Sequence, residues 1–144
     1  MKKATFFCNN PHSLLTVYGK GRREQVEGMV DLYPEVITSD NFAAKVEDLQ
    51  DLEVVFSTWG MLQLGADELE KLPELKAVFY GAGSVQGFAR PFLERGITVM
   101  SSWGANAVPV AEYTLAQTLL ACKGFYRNTR ECGDPNIRLS LIHI

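Results

Sequence analysis

The sequence lacks the marks of membrane and nucleic-acid-binding proteins. A membrane span needs about 18–20 unbroken apolar residues, and the longest apolar helix is interrupted by Glu112, Gln117 and Lys123, so we predict no membrane partner. The longest basic runs are the pairs 2–3 and 22–23, and the formal net charge is −3. Because nucleic-acid binding normally demands a basic face, we also predict no nucleic-acid partner.

Cysteine and histidine are also scarce, with three and two residues. Cys8, Cys122 and Cys132 have no metal-type spacing, so we predict no metal site and interpret them as reduced thiols. The only histidines are His12 and His143. The N-terminal apolar stretch ends at residues 9–11 too early for a signal peptide. Together these features favour a cytoplasmic protein.

What the chain does contain is a regular alternation of strand-length apolar runs and amphipathic segments. The predicted strands are 4–8, 35–38, 53–57, 75–80 and 97–100. The predicted helices are 21–33, 42–49, 67–72, a short helix up to residue 95 and a long one over about 109–130, with a loop at 9–16. Such alternation predicts an α/β fold with a parallel sheet covered on both faces, which binds ligands at the carboxyl ends of its strands.

A glycine-rich turn, Gly81–Gly87, follows the fourth predicted strand and has three interpretations. It nearly matches the dinucleotide fingerprint G-x-G-x-x-G, but the third glycine comes one residue late and no acid follows at the required distance. Glycine could also serve only to allow positive φ angles. We favour the third, an anion cradle, in which the amides of Gly83, Ser84 and Val85 bind a small carboxylate with Asn106 nearby.

The three blocks Leu72–Val85, Leu93–Val99 and Asn106–Ala116 together resemble the D-isomer-specific 2-hydroxyacid dehydrogenase family. The resemblance implies a flavodoxin-like, doubly wound sheet of about five parallel strands. A long helix would then lead into a Rossmann domain that this chain lacks. On this basis we assign residues 1–105 to a substrate-binding domain and residues 106–131 to the interdomain helix that begins the NAD-binding domain.

The last residues, 132–144, neither continue the last helix nor complete an α/β unit. One interpretation is an edge strand or a loose tail. We favour the other, that this segment is foreign to the fold and that the true continuation is missing.

The resemblance also implies site residues. Ala82, Gly83 and Ser84 match the loop that binds the substrate carboxylate, and Ser84 would also face the nicotinamide end of the cofactor. Asn106 matches a substrate-contacting position, and Val110 matches a position near the nicotinamide.

The function implied is an NAD- or NADP-dependent oxidoreductase that reduces a small 2-keto acid, or oxidises the D-2-hydroxy acid, as a homodimer. The family's catalytic arginine, carboxylate and histidine lie in its second domain. We therefore predict no catalytic residue here and no turnover by this chain alone. The alternative is a stand-alone flavodoxin-like binding or receiver module without catalysis, although the strand ends carry no acidic cluster and residues 9–13 make a poor phosphate loop.

Overall fold

The computed structural model describes residues 1–133, in which helices flank a five-stranded parallel sheet. The strands are β1 (Lys3–Phe7), β2 (Asp31–Leu32), β3 (Val54–Ser57), β4 (Ala77–Tyr80) and β5 (Thr98–Ser101). The helices are α1 (Pro11–Tyr18), α2 (Arg22–Glu27), α3 (Phe42–Lys45), α4 (Ala66–Glu70), α5 (Ala89–Glu94), α6 (Trp103–Cys122) and α7 (Phe125–Glu131), and a 3-10 helix spans Val46–Leu49. The strand order β2-β1-β3-β4-β5 is that of flavodoxin-like folds. The predicted fold class is confirmed.

The chain divides into two compact units. The first, Met1–Trp103, contains the whole sheet, and the second begins at Gly104 and contains all but the first residue of α6. No helix among residues 1–133 is both long enough and apolar enough to cross a bilayer.

Alternating residues of β1 and Cys8, which directly follows it, belong to two separate cores, because successive side chains of an extended chain point to opposite faces of the sheet. Phe6 and Cys8 belong to the core beneath α1 and α2. Phe7 belongs to the larger core beneath α3, α4 and α5, where Val55 and Val78 are fully buried. Both faces of the sheet therefore carry helices, as the apolar strands predicted.

The edge strand lies earlier in the chain than predicted. β2 pairs with β1 through Lys3↔Asp31, and of the predicted strand 35–38 only Ile37 bridges β1, at Phe7. Pro34 separates the two segments, and since proline lacks the amide that a sheet ladder needs, pairing is interrupted there. The predicted helix 21–33 is consequently wrong beyond Glu27, where α2 ends.

Two helix starts also differ from the predictions. The predicted loop 9–16 is largely α1, which begins at Pro11 because the side chain of Asn10 accepts a hydrogen bond from the Ser13 amide at 3.2 Å. The last helix begins at Trp103 rather than near Pro109, and it breaks before α7 at Gly124, whose φ is +68°. Residues 134–144 lie outside the described part of the chain, and so does most of the segment predicted to be foreign.

Candidate functional site

The glycine-rich turn forms an open loop at the carboxyl end of β4. An eight-residue segment, residues 81–88, separates β4 from α5, so the predicted helix starts later than expected. Ala82 is fully buried, whereas Ser84 is exposed. The backbone N–H groups of Gly83, Ser84 and Val85 donate to no acceptor within residues 1–133. They remain free to bind an added anion.

Ser101, at the end of the neighbouring strand β5, holds this loop in place. Its hydroxyl donates to the carbonyl oxygen of Gly83 at 2.5 Å and approaches that of Ala82 at 3.0 Å. In a planar trans peptide the carbonyl and the following N–H point in opposite directions. The amides of Gly83 and Ser84 therefore point away from Ser101, both on the opposite side of the loop.

Sequence reasoning missed this serine. The signal was nevertheless present, since Ser101 ends the strand after the glycine-rich turn, and the carboxyl ends of adjacent parallel strands meet at one edge of the sheet.

None of the loop glycines adopts a positive φ angle. Within residues 1–133, positive φ occurs at Gly21, Gly60, Gly96 and Gly124 but at no glycine of residues 81–87. The interpretation of the turn as a left-handed glycine turn is thus wrong. Gly81 instead allows close packing, because a Cβ atom there would lie 2.9 Å from Val17 Cγ1 and 3.2 Å from the Tyr18 hydroxyl.

The crevice between β1 and β3, where the strand order reverses, is closed by the chain itself. The amide of Asn9 donates to the carbonyl of Gly60 at 2.7 Å, and the amide of Asn10 donates to Cys8 Sγ at 3.4 Å. Gly60 has φ +104°, and a Cβ there would lie 2.9 Å from the Asn10 nitrogen. In other folds with this strand order a ligand binds where the order reverses. Here the amides of Asn9 and Asn10 at that point already donate to protein groups.

Burial disfavours the ionised forms of three side chains near these strand ends. Burial raises the pKa of the Cys8 thiol and of the Tyr80 hydroxyl, and it raises the pKa of Tyr18 to about 12. Tyr18 also donates to the carbonyl of Ser57 at 3.1 Å. In residues 1–133 no three His, Cys, Asp or Glu side chains gather as metal ligands would. The loop therefore offers binding groups rather than an acid or a base.

The other two predicted site residues lie in α6, in the second unit. Asn106 is half-buried and Val110 is exposed. They are four residues apart, so their side chains share one face of the helix. Asn106 falls in the first turn of α6 instead of preceding the helix. The roles assigned to Ala82, Gly83, Ser84, Asn106 and Val110 stay predictions.

Solved structures similar to this chain include several oxidoreductases. The match to phosphoglycerate oxidoreductase from Vibrio cholerae O395 covers 86% of this chain and 38% of the oxidoreductase chain, with 21% sequence identity and a TM-score of 0.56. NAD-dependent formate dehydrogenase from Staphylococcus aureus, solved in complex with NAD, matches 95% of this chain and 43% of its own, with 23% identity and a TM-score of 0.54. D-lactate dehydrogenase from Escherichia coli has a TM-score of 0.50 at 16% identity, over 98% of this chain and 43% of its own.

This chain shares their fold. The similarity extends over about two fifths of the length of each of these proteins. The resemblance to D-isomer-specific 2-hydroxyacid dehydrogenases drawn from the sequence is thereby confirmed for the fold. No protein-family model matches the sequence, and no curated protein sequence matches it.

Proposed function

We propose that this chain is the substrate-binding part of an NAD- or NADP-dependent D-2-hydroxyacid dehydrogenase. In this proposal the amides of Gly83 and Ser84 bind the carboxylate of a small 2-keto or 2-hydroxy acid. The observation that carries it is the loop itself: two adjacent amides point the same way, are fixed by Ser101 and have no protein acceptor in the described residues. Preorganised amides of this kind bind anions without the cost of ordering a flexible loop.

The remaining assignments extend the same proposal to the whole protein. Residues 1–105 form the substrate domain, and residues 106–131, which contain most of α6 and all of α7, lead into a nucleotide-binding domain. Ser84 and Val110 contact the nicotinamide of NAD or NADP when the cofactor is bound, and Asn106 contacts the substrate. The whole protein acts in the cytoplasm as a homodimer. The solved structure of similar fold with bound NAD supports the choice of cofactor.

Hydride transfer requires a cofactor held against the substrate and a proton donor beside its carbonyl. The glycine-rich loop supplies no proton donor, since it carries no titratable side chain, and we propose that the catalytic groups lie in the nucleotide-binding domain. We therefore expect residues 1–144 to bind a 2-keto acid without reducing it. NADH oxidation by the purified chain with a panel of 2-keto acids would refute this part of the proposal.

Binding is tested by NMR titration of the ¹⁵N-labelled chain with pyruvate. We expect saturable shifts centred on the amide signals of Gly83, Ser84 and Val85. Pyruvamide, which has the same shape without the charge, is the matched control and should leave these signals nearly unchanged. Shifts of equal size for both compounds, or shifts confined to other residues, would contradict a carboxylate site at this loop.

A stand-alone flavin-binding module is the competing function for this topology. It would place the FMN phosphate on the amides after β1, but those of Asn9 and Asn10 already donate to Gly60 and Cys8. We therefore expect no quenching of FMN fluorescence by the chain. Stoichiometric quenching would favour the flavin-binding module over the dehydrogenase.

A further inference from the structure

A cavity of about 330 Å³ opens between α1, α2 and the sheet. Phe6 and Cys8 of the smaller core contribute to its lining. The other apolar lining residues are Pro11, Leu14, Leu15, Tyr18 and Val36. None of the lining residues belongs to the glycine-rich loop, so this cavity is not the proposed carboxylate site.

The cavity has the size and the lining of a small-molecule site. Ligand pockets usually measure roughly 300–1,000 Å³, and an apolar cavity of about 150 Å³ already holds benzene. Here there is room for one aromatic ring with a short chain. The rings of Phe6 and Tyr18 lie 4.8 Å apart, edge to face, and such an aromatic lining favours an aromatic guest.

Two polar groups in the lining are already bonded to protein. The Cys8 thiol donates to the carbonyl of Asn10 at 3.2 Å, and the Tyr18 hydroxyl donates to the carbonyl of Ser57 at 3.1 Å. Burial raises the pKa of both groups, which disfavours their ionised forms. Neither group therefore has a proton left to donate to a ligand.

Thr38, which also lines the cavity, differs from these two groups. Its hydroxyl oxygen accepts from the Asn41 amide at 3.3 Å, but its hydroxyl proton has no acceptor among residues 1–133. Ordered water needs two to four polar partners, so this single free donor does not hold water firmly. It suits instead a ligand that is apolar apart from one hydrogen-bond acceptor.

The charged groups around the cavity offset one another. Lys20, Arg23 and Glu24 line it. Arg23 pairs with Glu27 at 3.0 Å, and its guanidinium also donates to the carbonyl of Pro34 at 3.1 Å. Lys20 and Glu24 are both exposed, and neither has an ion pair or a side-chain hydrogen bond with the described residues. The two cations are thus matched by two carboxylates, so a ligand of either charge would gain little there while losing hydration inside an apolar cavity.

We propose that this cavity binds a small, uncharged aromatic molecule with one hydrogen-bond acceptor. The ring lies against Phe6 and Tyr18, and the acceptor atom takes a hydrogen bond from the Thr38 hydroxyl. The volume is far too small for a peptide helix, which with its side chains is about 10–12 Å across. This proposal does not depend on the dehydrogenase assignment.

The test is NMR titration of residues 1–144 with four probes of similar shape. These are 4-phenylbutan-2-one, propylbenzene, which lacks the acceptor, anionic 4-phenylbutyrate and cationic 4-phenylbutylamine. We expect the ketone to bind at least about fivefold tighter than the acid and the amine, because each charged probe loses hydration without gaining a net ion pair. Nuclear Overhauser contacts from the phenyl protons to Leu14, Tyr18 and Val36 should place the ring.

Variants of two lining residues test the hydrogen bond and the cavity separately. Thr38→Val should weaken the ketone about threefold to tenfold, the loss of one hydrogen bond, and leave propylbenzene unchanged. Thr38→Ser, which keeps the hydroxyl, is the matched control and should bind both probes like the wild type. Leu15→Gln should weaken all four probes; because Leu15 is 72% exposed, this variant should still fold, as an unchanged melting temperature would show.

Glu24→Gln tests the balance of charge. It leaves Lys20 unmatched, so the acid should bind about twofold tighter and the amine about twofold weaker, while the ketone is unchanged. Glu70→Gln, at an exposed carboxylate outside the lining, should change nothing. The proposal is overturned if the ketone does not saturate, if either charged probe binds the wild type more tightly than the ketone, or if Thr38→Val leaves the affinity for the ketone intact.

Discussion

Ser101 is the single side chain on which the proposed carboxylate site depends most. Ser101→Ala leaves the carbonyls of Ala82 and Gly83 without their donor, so the loop should lose its fixed orientation. Since one hydrogen bond contributes roughly 0.5–1.5 kcal/mol, we expect pyruvate to bind about threefold to tenfold more weakly. Ser102→Ala is the matched control, because its hydroxyl makes no hydrogen bond with the described residues. Equal affinities of the two variants in the NMR titration would show that Ser101 does not position the loop.

Gly81 shows how one missing side chain allows two elements to pack. In Gly81→Ala the new Cβ would meet Val17 at 2.9 Å, and overpacking of this kind typically costs about 1–3 kcal/mol. Gly87→Ala is a close comparison, since a Cβ there meets nothing within 4 Å and no positive φ has to be kept. That variant should be neutral or stabilise by up to about 1 kcal/mol. Urea unfolding distinguishes the two, and a Gly81→Ala variant as stable as Gly87→Ala would contradict the close packing.

At the level of elements, α1 depends on its cap. The side-chain oxygen of Asn10 accepts from the Ser13 amide at 3.2 Å. Asn10→Ala should therefore destabilise the chain by about 1 kcal/mol, while Asn10→Asp, which keeps an accepting oxygen, should recover most of it. Thermal unfolding measures both. Equal losses in the two variants would point to a role of Asn10 other than capping.

The same helix shows why part of this fold could be predicted and part could not. The five-stranded sheet follows from apolar runs such as 53–57 and 75–80, which become β3 and β4 with at most two residues lost. In α1 the local Asn-Pro capping signal was present but was interpreted as a loop. The edge strand could not be located, because Asp31 and Leu32 pair with β1 through tertiary contacts and neither residue has a strand-like pattern. The glycine-rich loop was found from sequence, but Ser101 contacts it only once β4 and β5 are paired.

For the whole molecule, stability in acid should depend on the ion pairs of Glu53. This carboxylate pairs with Lys2 at 2.5 Å and with Lys76 at 2.8 Å, and these hydrogen bonds lower its pKa from 4.5 to about 2. A lowered pKa in the folded state means that the stabilisation is complete above pH 4.5 and is lost as the pH falls toward 2.

Glu53→Gln should consequently be less stable than the wild type at neutral pH, and the difference should shrink below pH 4.5. Glu74→Gln is the control, because Glu74 lies 3.9 Å from Lys76 and is 59% exposed, so its contribution should be small at every pH. Urea unfolding at a series of pH values makes the comparison. If the difference in unfolding free energy between the wild type and Glu53→Gln stayed constant down to pH 2, it would contradict the assigned ion pairs.

Helix α6 carries several exposed large apolar side chains, and they should make residues 1–144 associate. Val110, Tyr113, Leu115 and Leu119 are each more than half exposed, and contiguous apolar patches usually mark an interaction surface. Leu115 and Leu119 are one helical turn apart and share a face, so Leu115→Lys with Leu119→Lys should reduce association most effectively. Met29→Lys, at an equally exposed apolar residue of the first unit, tests whether an added positive charge anywhere on the surface would reduce association. Light scattering should show mass rising with concentration in the wild type and in Met29→Lys but not in the double variant. A wild-type chain that stays monomeric at all concentrations would mean that α6 is not an association surface in this chain, and the homodimer proposed for the whole protein would then need a different interface.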